Sequence, residues 1–350
     1  MDEQLLVALA EAQEPFADHR FHICELEIAP GHCHTCLQGR VLDNATLNAV
    51  VAHLRRRVPK ARWEWDRVEV LRAARPKLMA VGTNLTGLQR GPSWLSEQQS
   101  QALAGTVVEV LEEAEWWSFV RLEDGYLGWM YRRYLSDAAA MAATHQVSAA
   151  FTLVYATPNY LSPVVTRLFA ATSVAAGPQE NGWVWVESAA GKGYVDPMDL
   201  RPLDDDRPLD VRRRHLAHHD AMQFIGVPYL WGGATVHGID CSGYAQLLHR
   251  LAGVVIPRDA DMQFAAGQPV EPPFVPGDLL YFGGPGDHRA VSHVGVSLGP
   301  EIDPQGWGMI HSSRSRNGVY VDDVQAVESL RDRFLGARRF LPDRVADDQS

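Results

Sequence analysis

Two stretches roughly sixty residues apart carry the same run of short apolar segments and tight turns, and no other feature bounds the fold more closely. In the first, Trp117 and Val120 are followed by Gly128-Trp129 and, after five residues, by Leu135. In the second, Trp183 and Val186 are followed by Gly193-Tyr194 and, after five residues, by Leu200. Asp124-Gly125, set between apolar alternations, is a hairpin signal. A period-two pattern broken every few residues by turn residues cannot be wound as a helix bundle or a parallel α/β sheet. Residues 77–140 and 141–203 are therefore predicted to be two small β-barrels in tandem.

A chain of 350 residues is too long for one core, so further domains are expected on either side. The formal net charge of −11 speaks against a nucleic-acid partner, which needs a basic face. Arg55-Arg56-Arg57 and Arg212-Arg213-Arg214 read as solvated helix faces. The opening MDEQLLVALAEAQEPF is acidic and lacks the apolar core of a secretory signal, and no window has the length of a membrane span. The expectation is a cytoplasmic protein with no membrane partner. Four cysteines agree with a reducing compartment.

Residues 1–76 read as a small α+β domain. A helix to about residue 14 is followed by alternation at Phe21, Ile23 and Leu26 and again from Leu37 to Leu42. A helix over 45–57, capped by Asp43-Asn44, has Leu47, Val50, Val51 and Leu54 on one face, and a last strand lies near Trp63–Leu71. Cys24, Cys33 and Cys36 lie among His22, His32 and His34, and Cys33-His34-Thr35-Cys36 has a zinc-like spacing. The usual second ligand pair is missing, so the run reads as a polar loop of reduced thiols and no metal is assigned.

Beyond a polar linker at 203–210, a helix from Val211 to Phe224 leads to Gly226–Gly253. There a turn-rich approach ends at Asp240, a good N-cap. Cys241, Tyr244, Ala245, Leu248 and Ala252 then share one helical face, and Gly253 supplies the stop. Cys241 is thus placed in the first turn of a buried helix, where free N–H groups and the helix dipole favour a thiolate and lower the thiol pKa. Three strands follow, at Leu279–Phe282, Ser292–Leu298 and Met309–Ser312, with a polar turn at Gln263 before them. His293 and His311 sit on the last two. A helix-start cysteine followed by strand histidines has the makings of a cysteine peptidase: a thiol, an imidazole to take and return its proton, and a polar group to orient that imidazole.

Residues 211–340 resemble the NlpC-type family of bacterial cell-wall cysteine peptidases, a minimal papain-like α+β fold. The resemblance rests on Pro228-Tyr229-x-Trp231-Gly232-Gly233, Asp240-Cys241-Ser242-Gly243, Pro257-Arg258-Asp259, Pro276-Gly277-Asp278-Leu279 and His293-Val294-Gly295, in that order. It implies Cys241 as nucleophile, His293 as base and acid, and His311 as the orienter of His293, in a domain over 210–345. The oxyanion would be met by the Cys241 N–H, with the Tyr229 hydroxyl as a second donor. Family members often carry serine where this chain has Ala260. The barrels resemble bacterial SH3-like domains, and the whole arrangement resembles the YkfC-like γ-D-glutamyl-L-diamino acid peptidases. That group cleaves murein peptides with a free N-terminal L-Ala and releases L-Ala-D-Glu. In it the first SH3-like domain closes the cleft, and Ser96-Glu97-x-x-Ser100-Gln101 and Tyr126 match the segments involved. The resemblance implies Glu97, Tyr126, Tyr229, Trp231, Asp240, Ser242 and Asp259 as substrate-binding residues for a murein tripeptide or tetrapeptide, with no cofactor. A buried ammonium needs carboxylates, and an N-cap that uses one oxygen of Asp240 would leave the other for it. Two alternatives stay open: an exported endopeptidase acting on polymeric peptidoglycan, and a non-catalytic murein-binding module.

Overall fold

The computed structural model describes residues 3–29, 35–137, 142–284 and 290–341. They fall into two compact units, Met1–Met79 with Gly91–Trp94 and Val107–Arg133, and Ala80–Arg90 with Leu95–Thr106 and Tyr134–Ser350. The strands over 77–137 are thus divided between the two.

In the first unit, α1 (Glu3–Gln13) precedes β1 (Cys24–Ala29), β2 (Thr35–Val41), α2 (Asn44–Arg57) and β3 (Trp63–Val70). β1 and β2 are antiparallel, while β2 and β3 are parallel with α2 as the crossover that parallel strands require. Asp43 caps α2 by accepting from the Thr46 N–H at 2.9 Å. Leu47, Val50, Val51 and Leu54 are buried against Leu37 and Val41, the stripe the sequence predicts. Cys24 is buried, which pushes its thiol up to about 11, and Cys36 sits 3.6 Å from the Glu64 carboxylate. Cys33, His32 and His34 of the proposed thiol loop lie outside the described residues. This unit also holds β4 (Lys77–Val81) in part, β7 (Val107–Glu113), β8 (Trp117–Arg121) and β9 (Leu127–Tyr131), the last three an antiparallel meander in which β8 turns into β9 at Asp124-Gly125.

The second unit contains the hairpin of β5 (Leu85–Gln89) and β6 (Gln98–Leu103), and β10 (Leu135–Asp137). It then continues into β11 (His145–Val147), β12 (Phe151–Tyr155), β13 (Val164–Phe169), β14 (Ser173–Glu180), β15 (Trp183–Ser188), β16 (Gly191–Val195) and β17 (Leu200–Pro202). These seven form one sheet in the order β13-β12-β16-β15-β14-β11-β17, around Val147, Val154, Leu168, Val174, Val186 and Val195.

The expected helix over 211–224 is not continuous. α3 (Leu209–His215) opens into a π turn over Leu216–Asp220 and tightens to a 3-10 turn at Ala221–Phe224. The change of winding falls where Asp220 turns inward to the Arg201 guanidinium, with contacts of 2.7 and 2.9 Å. Arg213 is not solvated as expected: it is buried, bonded to the Leu341 carbonyl and 3.7 Å from Asp278. Next come the short pair β18 (Ala234–Thr235) and β19 (Gly238–Ile239), then α4 (Cys241–Leu251). The expected turn at Gln263 is instead a helix, α5 (Ala260–Ala266), with Gln263 fully buried. Its side chain ties the Pro257 and Ser242 carbonyls together at 2.8 and 3.1 Å, a role that an exposed-looking polar residue conceals.

The last sheet joins β20 (Gln268–Val270), β21 (Leu279–Phe282), β22 (His293–Ser297), β23 (Gly308–Ser313), β24 (Gly318–Asp323) and, after α6 (Glu328–Arg331), β25 (Phe334–Arg339), in the order β20-β25-β21-β22-β23-β24. Every strand pair in it is antiparallel. α4 packs on β22 and β23, burying Tyr244, Ala245 and Leu248 against Leu279, Val294, Val296 and Ile310. A side chain the size of Leu248 stabilises by about 1.5–3 kcal/mol when fully buried, so α4 is held by its apolar face. The architecture is α+β. Among the described residues no helix is long and apolar enough to cross a membrane.

Candidate active site

Asp240 sets the start of α4. Its Oδ1 accepts the Gly243 N–H at 2.6 Å, so Cys241 begins the first turn with its side chain buried. The amides of Val294 and Ser242 reach the Cys241 sulfur and pull its pKa down, but burial and the neighbouring Asp240 outweigh them and push the thiol up to about 12. The direction is opposite to the one that the helix start alone would give. The helix dipole acts only over the first turn, whereas enclosure by the β22 backbone removes the water a thiolate needs.

Val294 is preceded by His293, at the start of β22. His293 is half-buried, and desolvation of its ring holds it well below its ordinary pKa, with His311, Arg333 and Arg314 acting in the same direction and Asp322 against them. His293 Nε2 lies 2.6 Å from His311 Nδ1, and His311 Nε2 lies 2.9 Å from Asp322 Oδ2. The strand register explains the alignment. Val296 pairs with Ile310, which carries Gly295 opposite His311, and His311 in turn pairs with Tyr320. Each link thus steps two residues diagonally across one sheet face. A Cβ on Gly295 would press on Met309 and on His311, so glycine at this point keeps the His293–His311 contact open. Asp322 is completed by Arg316, whose Nη1 meets Oδ1 at 2.7 Å. The His311 hydrogen bond, with Arg316 adding, holds the Asp322 carboxyl below its usual range.

Arg258 is a further residue that site reasoning from the sequence did not single out, although its motif was recognised. It is 1% exposed. Its Nη1 donates to Asp240 Oδ1 and to Ser242 Oγ, each at 3.0 Å, its Nη2 to Asp240 Oδ2 at 2.6 Å, and its Nε to Ser100 Oγ at 3.0 Å. Asp240 Oδ2 also accepts from Gly232 N at 2.8 Å. Neither carboxylate oxygen of Asp240 is left free, contrary to the expectation that capping would occupy only one.

Glu97 and Trp231 meet, the indole N–H donating to Glu97 Oε1 at 2.8 Å, with the Glu97 side chain still 44% exposed. Gln98 Nε2 reaches the Trp231 carbonyl at 3.3 Å, and Gln101 Oε1 accepts the Ala234 N–H at 2.9 Å. Tyr229 pairs with Ile239 beside the helix start, and burial, with Cys241 and Asp240 adding, raises its hydroxyl above the ordinary value. Asp259 is buried at the N-cap position of α5. Tyr126 belongs to the first unit, where it is buried edge-on to Phe21 with ring centres 5.6 Å apart. Away from the cysteine, ligand atoms of His215, His219 and Asp220 lie within 4.8 Å of one another, but Arg201 occupies both Asp220 oxygens.

A thiol at the start of a buried helix, reached by the amide that follows a strand histidine hydrogen-bonded to a second histidine, is the arrangement of a papain-like cysteine peptidase. The NlpC/P60 family model matches residues 226–339, and a bacterial dipeptidyl-peptidase SH3 domain model matches residues 88–135. The chain thus carries an NlpC/P60 domain behind a bacterial dipeptidyl-peptidase SH3 domain. It is 29% identical over 256 residues to the gamma-D-glutamyl-L-lysine dipeptidyl-peptidase of Bacillus subtilis (strain 168), across 69% of this chain and 80% of that one. It is 27% identical over 263 residues to dipeptidyl-peptidase 6 of Lysinibacillus sphaericus, across 70% of this chain and 91% of that one. The crystal structure of an NlpC/P60 family protein from Bacillus cereus ATCC 10987 superposes with a TM-score of 0.65 at 21% identity, over 76% of this chain and all of the other.

Proposed function

We propose that this cysteine peptidase hydrolyses the γ-D-glutamyl–diamino acid bond of murein tripeptides and tetrapeptides with a free N-terminal L-Ala, releasing L-Ala-D-Glu during recycling of wall peptides in the cytoplasm. One observation carries the reading: an exposed carboxylate, Glu97, is fixed to Trp231 on the approach to the nucleophile. A carboxylate held there suits a substrate ammonium, which must be paired to leave water. Asp240 is already bridged on both oxygens by buried Arg258, so Glu97, which meets Arg90 at 3.5 Å in an exposed and therefore weak pair, is the carboxylate left to face that ammonium. Ser242 and Asp259 frame the acyl portion of the substrate.

The resting pair is thiol and neutral imidazole. As the substrate carbonyl arrives, the Cys241 proton passes to His293, the sulfur attacks carbon, and the Cys241 N–H meets the oxyanion. The C–N bond then breaks with His293 giving the proton to the departing amine, which leaves a thioester. Water, deprotonated by His293, attacks the thioester, and the thiol leaves with the returned proton.

The test is product analysis on L-Ala-γ-D-Glu-diamino acid beside its N-acetyl form. Cleavage of the free-amine peptide alone is expected, with Glu97→Gln raising KM by roughly tenfold or more and changing kcat little. Equal cleavage of both peptides, or release of fragments from intact sacculi, overturns the reading in favour of a wall endopeptidase.

A further inference from the structure

The alignment of His293, His311 and Asp322 has a polarity that distances alone do not reveal. A carboxylate accepts hydrogen bonds and cannot donate them, whereas a neutral imidazole has one donor and one acceptor nitrogen. Asp322 Oδ2 therefore requires a proton on His311 Nε2. With that proton placed, Nδ1 of a neutral His311 is an acceptor, so the 2.6 Å contact requires a proton on His293 Nε2. The nitrogen left bare is His293 Nδ1, the one available to the Cys241 thiol.

We infer that Asp322, which touches neither substrate nor thiol, is a positioning residue that sets the tautomers of both histidines and so makes His293 a competent base. The inference rests on the Cys241–His293 chemistry proposed above. The same arrangement serves both stages of the reaction. When His293 becomes an imidazolium it gains its second proton on Nδ1, while Nε2 goes on donating to His311, so no donor has to reverse.

Arg316 gives this device a second part. Its Nη1 donates to Asp322 Oδ1, so an asparagine at this position must turn its oxygen toward Arg316 and its NH2 toward His311. An NH2 facing His311 Nε2 makes that nitrogen an acceptor and moves the proton to His311 Nδ1. His293 Nε2 must then accept, and its proton moves to Nδ1, where it blocks the thiol. D322N thus reverses the entire chain while changing almost no volume. In D322N/R316M nothing holds the asparagine oxygen outward, and the amide can turn back.

The experiment combines histidine 15N NMR with steady-state kinetics on the full chain. In the parent, His293 is expected to be protonated at Nε2 and bare at Nδ1; in D322N the two are exchanged. D322N should lose kcat by roughly a thousandfold with KM little changed, since wrong-tautomer defects reach that size. D322E should recover part of the loss, and D322N/R316M should recover at least tenfold over D322N, which a merely structural role for Asp322 does not predict. A parent His293 carrying its proton on Nδ1, or a D322N enzyme with parent kcat and parent tautomers, overturns the inference. If D322N alone does not fold, the parent spectrum and the double variant still decide. The spectrum needs no substrate, so a mistaken substrate leaves it standing, and mistaken tautomers leave the substrate reading standing.

Discussion

Replacing Arg258 by methionine isolates a buried ion pair at the start of the catalytic helix. Arg258 is 1% and Asp240 5% exposed, and the guanidinium bridges both carboxylate oxygens at 3.0 and 2.6 Å. Methionine keeps most of the apolar stem but leaves the Asp240 charge buried, with Gly232 N, Gly243 N and Ser242 as its remaining partners. Breaking one side of such a pair costs about 3–5 kcal/mol, mostly as an uncompensated buried charge. For a unit of this size that corresponds to a fall in Tm of roughly 6–20 °C. Lysine should do little better, since a single ammonium cannot span both oxygens and also reach Ser100. D240N/R258M removes both charges and should regain more than half of the loss, giving a coupling energy of about 2–3 kcal/mol in a double-mutant cycle. The measurement is thermal unfolding of the four proteins at one pH and salt concentration. An R258M protein within 2 °C of the parent, or additive single losses, would refute the reasoning.

Cys241→Ala should abolish hydrolysis while moving Tm by less than roughly 3 °C, because only a small buried sulfur is lost; residual turnover above about 0.1% would exclude Cys241 as nucleophile. Gly243→Ala should unfold the helix start, since a Cβ there would meet the Gly233 carbonyl and stand 2.9 Å from Asp240 Oδ1; parent-like activity and Tm would show that the turn yields freely. Desolvation holds His293 below its ordinary pKa, so kcat/KM should persist well below pH 6.5, and an acid limb at or above that value would contradict a neutral base. His249, fully buried beside Phe340, is lowered from 6.5 to about 4, so the unfolded chain takes the proton first. Stability is then full above pH 6.5 and falls as pH descends toward 4, by on the order of 3 kcal/mol. H249L should flatten Tm against pH in that window, and parallel curves for parent and variant would exclude this source.

Periodicity alone carried the reading to Cys241, because Tyr244, Ala245, Leu248 and Ala252 fall on one buried stripe and Asp240 has the chemistry of a cap. The histidine strands were legible for the same reason. Asp322 was not, since its place depends on the β23–β24 register and on a turn at 314–317 that no local pattern specifies. Arg258 stood in a recognised motif, yet its partners are 16, 18 and 158 residues away in sequence. The burial that raises the thiol's pKa was not legible because local helix geometry is written in the sequence, whereas enclosure by β22 is a tertiary effect. Gln263 and Arg213 deceived in the opposite sense: polar residues counted as exposed are buried where backbone carbonyls need donors.

The contacts of residues 97–101 bear on how such a protein can change over evolutionary time. Within these five positions Glu97, Gln98, Ser100 and Gln101 each bond a group of the peptidase segment: the Trp231 indole, the Trp231 carbonyl, Arg258 and the Ala234 amide. The hydrolase half is therefore not an autonomous cassette. Cut free at residue 210, it would keep its thiol and histidines but lose the Ser100 partner of a buried guanidinium and the acceptor for the Ala234 N–H. A lineage that exchanged the upstream module would have to import a matching set of side chains at the same moment, so module and hydrolase are expected to be inherited as one piece.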